Sequence, residues 1–256
     1  VAALLLFLLL RGRMRFLPLR EAAVFAGLGF LGVFFHNALQ AYALRTVSAG
    51  MSGLIVAANP IAIALLGALI LGERLDGRKK GGILLAAFGV LVIISKGDPG
   101  VFLRRGYSPG ELLMVVSVFS WGLFSVFSRK ALRKTSPELG MAYALSFGWL
   151  FATLPFFFSG GALEIPSISA GAWANILFLG VCCSALAYLF WYDALRELPA
   201  SEAGVFLYIN PVVAVLLSAA FLGENVTLSM IAGGVLVFTG VWFVNTKKRP
   251  SPAGEK

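Results

Sequence analysis

The fold is decided by the stretch YALRTVSAGMSGLIVAANPIAIALLGALILGERLDGRKKGGILLAAFGVLVII, residues 42–94. The same pattern returns without a gap as DALRELPASEAGVFLYINPVVAVLLSAAFLGENVTLSMIAGGVLVFTGVWFVN, residues 193–245, at a shift of 151 residues (193 − 42). In this alignment Asn59-Pro60 coincides with Asn210-Pro211, and Gly72-Glu73 coincides with Gly223-Glu224. An internal repeat of this length predicts a chain built from two similar halves.

The composition is that of a membrane protein. Of the 256 residues, 59% are hydrophobic and 13% are charged, which is more apolar surface than one soluble core can hide. After a partial apolar stretch at residues 1–10, complete spans are predicted at 20–45, 49–71, 78–95, 110–132, 139–159, 171–195, 200–222 and 228–246. Lipid offers no partner for backbone polar groups, so these spans must be helices. We therefore predict an all-α membrane protein.

Basic residues are unevenly shared between the two sides of these spans. Counting alternate loops places 17 of the 21 Lys and Arg residues on one side, together with the C-terminus. The positive-inside rule predicts that this side is cytoplasmic, and we expect a multi-pass protein of a bacterial inner membrane. The net charge of +9 therefore indicates topology and contact with the lipid bilayer, and no nucleic-acid partner is predicted.

The distribution of charged residues also shows how the two halves are oriented relative to each other. The loop after Glu73 is basic, whereas the matching loop after Glu224 has no Lys or Arg, so the copies face opposite sides and form an inverted-repeat bundle. Inversion requires an odd number of helices in each half, and the second half has five. We expect ten transmembrane helices in the full protein, with eight complete and one partial in this N-terminally truncated chain. The predicted parts are residues 1–100, residues 101–246 and a disordered cytoplasmic tail at 247–256.

Two equivalent helices carry stripes of polar and aromatic residues at helical spacing. The stripes consist of His36, Asn37 and Gln40 in the first half and Ser184, Tyr188 and Trp191 in the second. The shift maps Asn37 onto Tyr188 and Gln40 onto Trp191. Polar groups avoid hydrocarbon, so we predict that both stripes line a central cavity. The alternative is that they form interhelical hydrogen bonds that only hold the bundle together.

Other candidate residues have alternative roles. A further stripe consists of Ser117, Trp121, Phe124 and Ser128. Trp121 and Tyr208 are candidates for the cavity, with packing as the alternative. His36 is the single histidine, and its expected role is a neutral hydrogen-bonded packer or a substrate contact, with a proton relay as the alternative. No metal-ligand spacing occurs, and no cofactor is predicted.

Proline interrupts the middle of two equivalent helices. The pairs are Asn59-Pro60 and Asn210-Pro211. Proline removes one backbone donor, so each helix is expected to kink there. The kink is either a fixed shape or a hinge that opens one side of the cavity.

Acidic residues end the same two helices. Glu73 and Glu224 stand just before the next helix begins, where a carboxylate can bond free amides and oppose the helix dipole. We interpret them as structural.

Each copy carries, in this order along the chain, the pattern AL...A...(N)P...LGE...G......G. This twice-occurring pattern resembles the two EamA repeats of the drug/metabolite transporter superfamily. The resemblance covers the chain. It implies ten helices in two inverted halves, efflux of amino acids, metabolites or drugs through a central cavity, and alternating access by bending of the helices that contain Pro60 and Pro211.

The leading hypothesis is a secondary transporter, an exporter of a small organic solute such as an amino acid or a drug-like metabolite. Protons are a candidate coupling ion. An importer or exchanger of the same fold, a non-transporting structural membrane protein and an intramembrane enzyme are the alternatives. The enzyme would need a nucleophile beside a base, a metal site or paired carboxylates, and the sequence shows none of these patterns.

Overall fold

The computed structural model of the chain describes residues 1–12, 15–47, 49–95, 98, 100, 108–222 and 227–246. Over these residues every regular element is a helix, which confirms the all-α prediction. The main helices are α1 Ala2–Leu10, α2 Leu19–Ala43, α3 Ala49–Val56, α4 Asn59–Leu71, α5 Gly77–Ser95, α6 Pro109–Ala131, α7 Pro137–Phe158, α8 Ala170–Glu197, α9 Ala200–Val205, α10 Ile209–Leu222 and α11 Leu228–Asn245. Two short helical turns, Gly161–Glu164 and Ile165–Ser167, connect α7 to α8.

Five of these helices, α2, α6, α7, α8 and α11, are long and apolar enough to cross a membrane. Their ends lie within a few residues of the predicted spans. The predicted span at 78–95 corresponds to α5, which has 19 residues. The chain is therefore a multi-pass helical membrane protein, and the total of ten helices for the full protein stays a prediction. The tail predicted at 247–256 lies outside the described residues.

The predicted spans at 49–71 and 200–222 are each divided beside the asparagine-proline pair. Helix α3 ends at Val56 and α4 begins at Asn59, while a 3₁₀ turn at Phe206–Tyr208 separates α9 from α10. Proline has no N–H to donate to the carbonyl four residues earlier, so regular helical bonding stops there. The two halves share this interruption at equivalent positions.

Helices α5 and α11 cross through two glycine contacts that show the inversion directly. A Cβ atom at Gly82 would lie 2.8 Å from the carbonyl oxygen of Gly240, and one at Gly89 would lie 2.6 Å from that of Gly233. The shift maps Gly82 onto Gly233 and Gly89 onto Gly240, so a two-fold relation exchanges the contacts. The helices run antiparallel, as helices related by inverted halves must.

Glu73 bonds free amides at the start of a helix, but that helix belongs to the other half. Its Oε1 accepts from the Ala200 N–H at 2.7 Å, and its Oε2 accepts from the Ser201 N–H at 3.0 Å. These amides begin α9, whereas the sequence points to the helix that directly follows, α5. The reason is tertiary, because α4 packs against α9. Its predicted counterpart Glu224 lies outside the described residues.

We expect Gly82→Ala to lower the free energy of unfolding by about 1–3 kcal/mol, because the added methyl group overpacks the contact with α11. Thermal unfolding in detergent micelles measures the change. Gly81→Ala is the matched control, since a Cβ atom at Gly81 meets no atom within 4 Å. Equal unfolding midpoints for the two variants would contradict the close contact.

Candidate functional site

Both halves place an irregular turn in the helix that carries the polar stripe. Gly29–Phe35 in α2 and Leu179–Leu186 in α8 form π-helical turns. The shift of 151 residues maps the first turn onto residues 180–186, so the two are equivalent. Nothing in the apolar pattern of the sequence predicts them. Such turns occur frequently at functional sites, which draws attention to the side chains around them.

The π-helical turn of α2 offers carbonyl groups to side chains of other helices. The oxygen of Leu31 accepts from Ser120 Oγ at 2.7 Å, and the oxygen of Gly32 accepts from the Tyr188 hydroxyl at 3.2 Å. Ser120 lies on α6 and Tyr188 lies on α8. The turn therefore joins three helices at the level of the predicted stripes.

Four rings surround the indole of Trp121 on α6. The centroid distances from Trp121 are 5.1 Å to His36, 5.2 Å to Phe124, 5.6 Å to Tyr188 and 5.7 Å to Trp191. The rings come from α2, α6 and α8, and so from both halves. We call these five residues the aromatic cluster.

Hydrogen bonds orient the two polar residues of the first stripe. His36 Nδ1 lies 3.0 Å from the carbonyl oxygen of Ser117, which can only accept, so Nδ1 carries the proton and Nε2 of the neutral ring is an acceptor. Asn37 Nδ2 donates to the Val33 carbonyl at 2.7 Å and to the Tyr188 hydroxyl at 3.3 Å. Asn37 and Tyr188 are equivalent under the shift, so this bond joins the halves at related positions.

Two indole N–H groups of the aromatic cluster have no acceptor. Nε1 of Trp121 and Nε1 of Trp191 are buried atoms without a hydrogen-bond partner among the described residues. Buried donors in proteins are nearly always paired. Two such donors beside the same rings can bond the acceptor groups of a bound solute.

The aromatic cluster is uncharged when His36 is neutral. Within the described part of the chain, no group of three or more His, Cys, Asp or Glu could hold a metal ion. Asp193 follows Tyr188 on α8 but is exposed near the end of that helix. The five residues of the cluster therefore offer apolar ring faces and neutral hydrogen-bonding groups.

The structure brings together most of the predicted cavity residues. Those that meet are His36, Asn37, Trp121, Tyr188 and Trp191. Gln40 and Ser184 are partly exposed on the same two helices, α2 and α8. Tyr208 is not brought to the aromatic cluster. It is buried in a separate core with Val90 and Val237, and its hydroxyl has no partner among the described residues.

Sequence reasoning missed Tyr192 on α8. Its side chain is fully buried, its ring stacks on Phe124 with centroids 5.8 Å apart, and its hydroxyl accepts from Ser128 Oγ at 3.1 Å. Tyr192 stands one helical turn after Tyr188, so extending the stripe by four residues would have found it. Ser128 and Tyr192 join α6 to α8 one helical turn beyond Phe124 and Tyr188.

Comparisons with known proteins agree with this architecture. A solved crystal structure matches with a TM-score of 0.77 at 22% sequence identity, covering 95% of this chain and 83% of that one. Two Bacillus subtilis proteins named as uncharacterized transporters, YyaM and YdfC, are 29% and 30% identical, over 94% and 96% of this chain and 79% and 78% of their own lengths. A Salmonella typhimurium protein named "Probable amino-acid metabolite efflux pump" is 28% identical over 76% of this chain and 66% of its own length.

Fold and site together define a multi-pass helical membrane protein whose two inverted halves meet at an aromatic cluster. The sequence model of the EamA-like transporter family matches residues 1–95 and 108–246. The chain therefore belongs to the EamA-like transporter family, and the predicted resemblance is confirmed. It is a membrane transporter.

We expect Tyr192→Phe to lower the free energy of unfolding by about 1–3 kcal/mol, because the buried Ser128 hydroxyl loses its acceptor. Thermal unfolding of the single variants and of Tyr192→Phe combined with Ser128→Ala forms a double-mutant cycle. The two changes should be less than additive. Tyr42→Phe is the matched control, since Tyr42 is 61% exposed. Strict additivity would contradict the bond.

Proposed function

We propose that the chain is a secondary transporter that exports amino acids or similar small organic metabolites or drugs by alternating access. The observation that carries the proposal is the Asn37–Tyr188 bond of 3.3 Å, which joins equivalent positions of the two halves beside the aromatic cluster. In inverted-repeat transporters the substrate site lies near the midplane, where the repeats meet. The printed name of the Salmonella typhimurium relative supports the solute class and the direction.

The chemistry of the aromatic cluster supports a neutral or zwitterionic solute with an apolar side chain. The rings of Trp121, Trp191 and Tyr188 offer faces for an aromatic or aliphatic group. The unpaired indole N–H groups and the Nε2 acceptor of His36 offer hydrogen bonds to a carboxylate, carbonyl or amine. A phosphate would need buried Arg or Lys, and none stands among these side chains, so a sugar-phosphate substrate is disfavoured.

The interrupted helices supply the movement. A half-helix beyond Asn59-Pro60 or Asn210-Pro211 can swing at a point where one backbone bond is already absent. Because the halves are inverted, the two interruptions act on opposite mouths of the cavity. The charge bias of the loops supports a cytoplasmic C-terminus in a bacterial inner membrane.

Membership of a transporter family argues against the alternative of an intramembrane enzyme. The aromatic cluster also lacks the pair of groups that an enzyme needs. Its one titratable imidazole, His36, bonds a backbone carbonyl rather than a serine or cysteine nucleophile.

The proposal is tested with the full-length protein in proteoliposomes, using a panel of radiolabelled amino acids and aromatic metabolites with and without a pH gradient. We expect flux of at least one aromatic or large aliphatic amino acid. A gradient-dependent flux would assign protons as the coupling ion, and a gradient-independent flux would assign uniport. No flux and no thermal stabilisation by any member of the panel would overturn the proposal.

In the same assay, Trp191→Ala should reduce flux by about tenfold or more, because it removes both a ring face and an indole donor. Folded yield should stay near that of the parent, since Trp191 is not fully buried. Trp149→Ala is the matched control, because Trp149 on α7 is 61% exposed. A collapse in the yield of Trp191→Ala, or equal flux in both variants, would assign Trp191 to packing.

We further expect Pro60→Ala and Pro211→Ala to shift the balance between the two open states in opposite directions. Each change restores a backbone donor and straightens one helix. Labelling of Ser184→Cys from each side of the membrane, with Cys182 and Cys183 replaced by serine, measures the balance. Pro155→Ala is the control, because it also removes a proline from the interior of a helix, α7, but lies in neither asparagine-proline pair. Equal accessibility in the Pro60 and Pro211 variants would contradict the hinges.

A further inference from the structure

Polar groups tie the two halves together at one end of the bundle, called here the basic end because most Lys and Arg residues fall there. Glu73, at the end of α4, belongs to the first half, whereas Ala200 and Ser201 begin α9 in the second. The Glu73 carboxylate accepts from the Ala200 N–H at 2.7 Å, the Ser201 N–H at 3.0 Å and the Ser201 hydroxyl at 2.7 Å. A carboxylate at a helix start both bonds free amides and opposes the helix dipole.

Two cations extend this contact. Arg129 Nε lies 3.5 Å from Glu73 Oε1, and its Nη1 donates to the Leu195 carbonyl at 2.8 Å. Lys79 Nζ lies 2.7 Å from Glu202 Oε1, and both of these side chains are only 21% exposed. Partly buried pairs are screened less by salt than pairs at the surface. The network therefore crosses between the halves through α4, α5, α6 and α9.

The repeat keeps Glu73 as Glu224, which lies outside the described residues, but it does not keep the hydroxyl and the charges around Glu73. The shift of 151 residues places groups without hydroxyl or charge at the equivalent positions: Gly50 for Ser201, Met51 for Glu202 and Met230 for Lys79. Two halves that share a fold need the same packing residues, as the paired glycines of α5 and α11 show. Donors and charges present in one half alone are not required by the shared fold.

Opening of the basic end has to break this network. Ile63 on α4 is fully buried, and a Cβ atom at Gly204 on α9 would lie 3.2 Å from it. The two helices are thus in direct contact just inside the Glu73 bonds. Any path for a solute between α4 and α9 requires their separation, and the carboxylate then leaves the amides of α9.

We propose that Glu73, Ser201, Arg129 and the Lys79–Glu202 pair form a latch that keeps the basic end closed while no solute is bound. The inference rests on the proposed alternating access. Because the equivalent positions of the other half lack the hydroxyl and the charges of Ser201, Lys79 and Glu202, the latch makes the closed basic end the resting state. A ligand shifts such a balance only by as much as it binds the two states differently, so the latch sets how strongly a solute must favour the open state.

A cysteine placed at the buried position of Ile63, next to the latch, becomes accessible to a labelling reagent when the latch opens. Ile63→Cys, in the full-length protein with Cys182 and Cys183 replaced by serine, is labelled in oriented membrane vesicles by a membrane-impermeant maleimide added at the basic end. No solute is present. Ser201→Ala removes one of three bonds to the carboxylate and should raise the labelling rate about tenfold. Glu73→Gln should raise it further.

Glu197→Gln is the matched control. Glu197 is an exposed carboxylate at the same end, paired at 4.0 Å with Arg196 of its own half, so its loss should leave labelling unchanged. Lys79→Glu and Glu202→Lys should each raise labelling, and the two together should restore the parent rate by exchanging the charges.

Labelling at the parent rate in both Ser201→Ala and Glu73→Gln would overturn the latch. If Glu73→Gln fails to fold, an unchanged labelling rate in Ser201→Ala alone would overturn it. The outcome is separable from the transport assay. Raised labelling in a protein that moves no solute would support the latch and count against the proposed function. Normal flux with unchanged labelling would overturn the latch alone.

Discussion

Backbone N–H and C=O groups inside a membrane must be bonded within the protein, because lipid offers them no partner. This chain departs from regular helix at the π-helical turn of α2 and at the start of α9, and side chains from other parts of the bundle bond backbone groups at both places. Ser120 and Tyr188 donate to carbonyls of α2, and Glu73 accepts from amides of α9. Because the partners lie on different helices, satisfying the backbone also fixes the arrangement of the bundle.

A two-fold relation organises both the scaffold and the site. The same shift of 151 residues relates the glycine contacts between α5 and α11, the paired π-helical turns, and the two partners of the Asn37–Tyr188 bond. Packing this close between α5 and α11 is available only where side chains are absent, and the repeat places glycines on both sides of each contact. The aromatic cluster lies where the equivalent helices meet, which is why both halves contribute rings to it.

The polar network around Glu73 departs from the two-fold relation that the packing contacts obey. The network around Glu73 contains a hydroxyl and charges whose equivalents in the other half are a glycine and methionines. A transporter with two identical ends would have no preferred resting state. In the latch that we propose, an unequal set of polar contacts between otherwise equivalent helices gives this preference without altering the fold.

The sequence by itself determined the repeat, the helical membrane-spanning class, the inversion of the halves and the interruptions beside Pro60 and Pro211. These features depend on composition, charge and spacing along the chain. An apolar span in lipid must be a helix because its backbone N–H and C=O groups have to bond each other. It also identified most of the aromatic cluster, because polar and aromatic residues on one helix face are visible as a period. Tyr192 was within reach of the same reasoning.

Only the tertiary structure decided which helices meet. It placed Tyr208 in a packing core instead of the aromatic cluster and paired Glu73 with α9 instead of α5. It also placed π-helical turns where the apolar pattern is unbroken. In each case the deciding contact joins residues far apart in the chain, and neither a helical period nor a charge count contains that information.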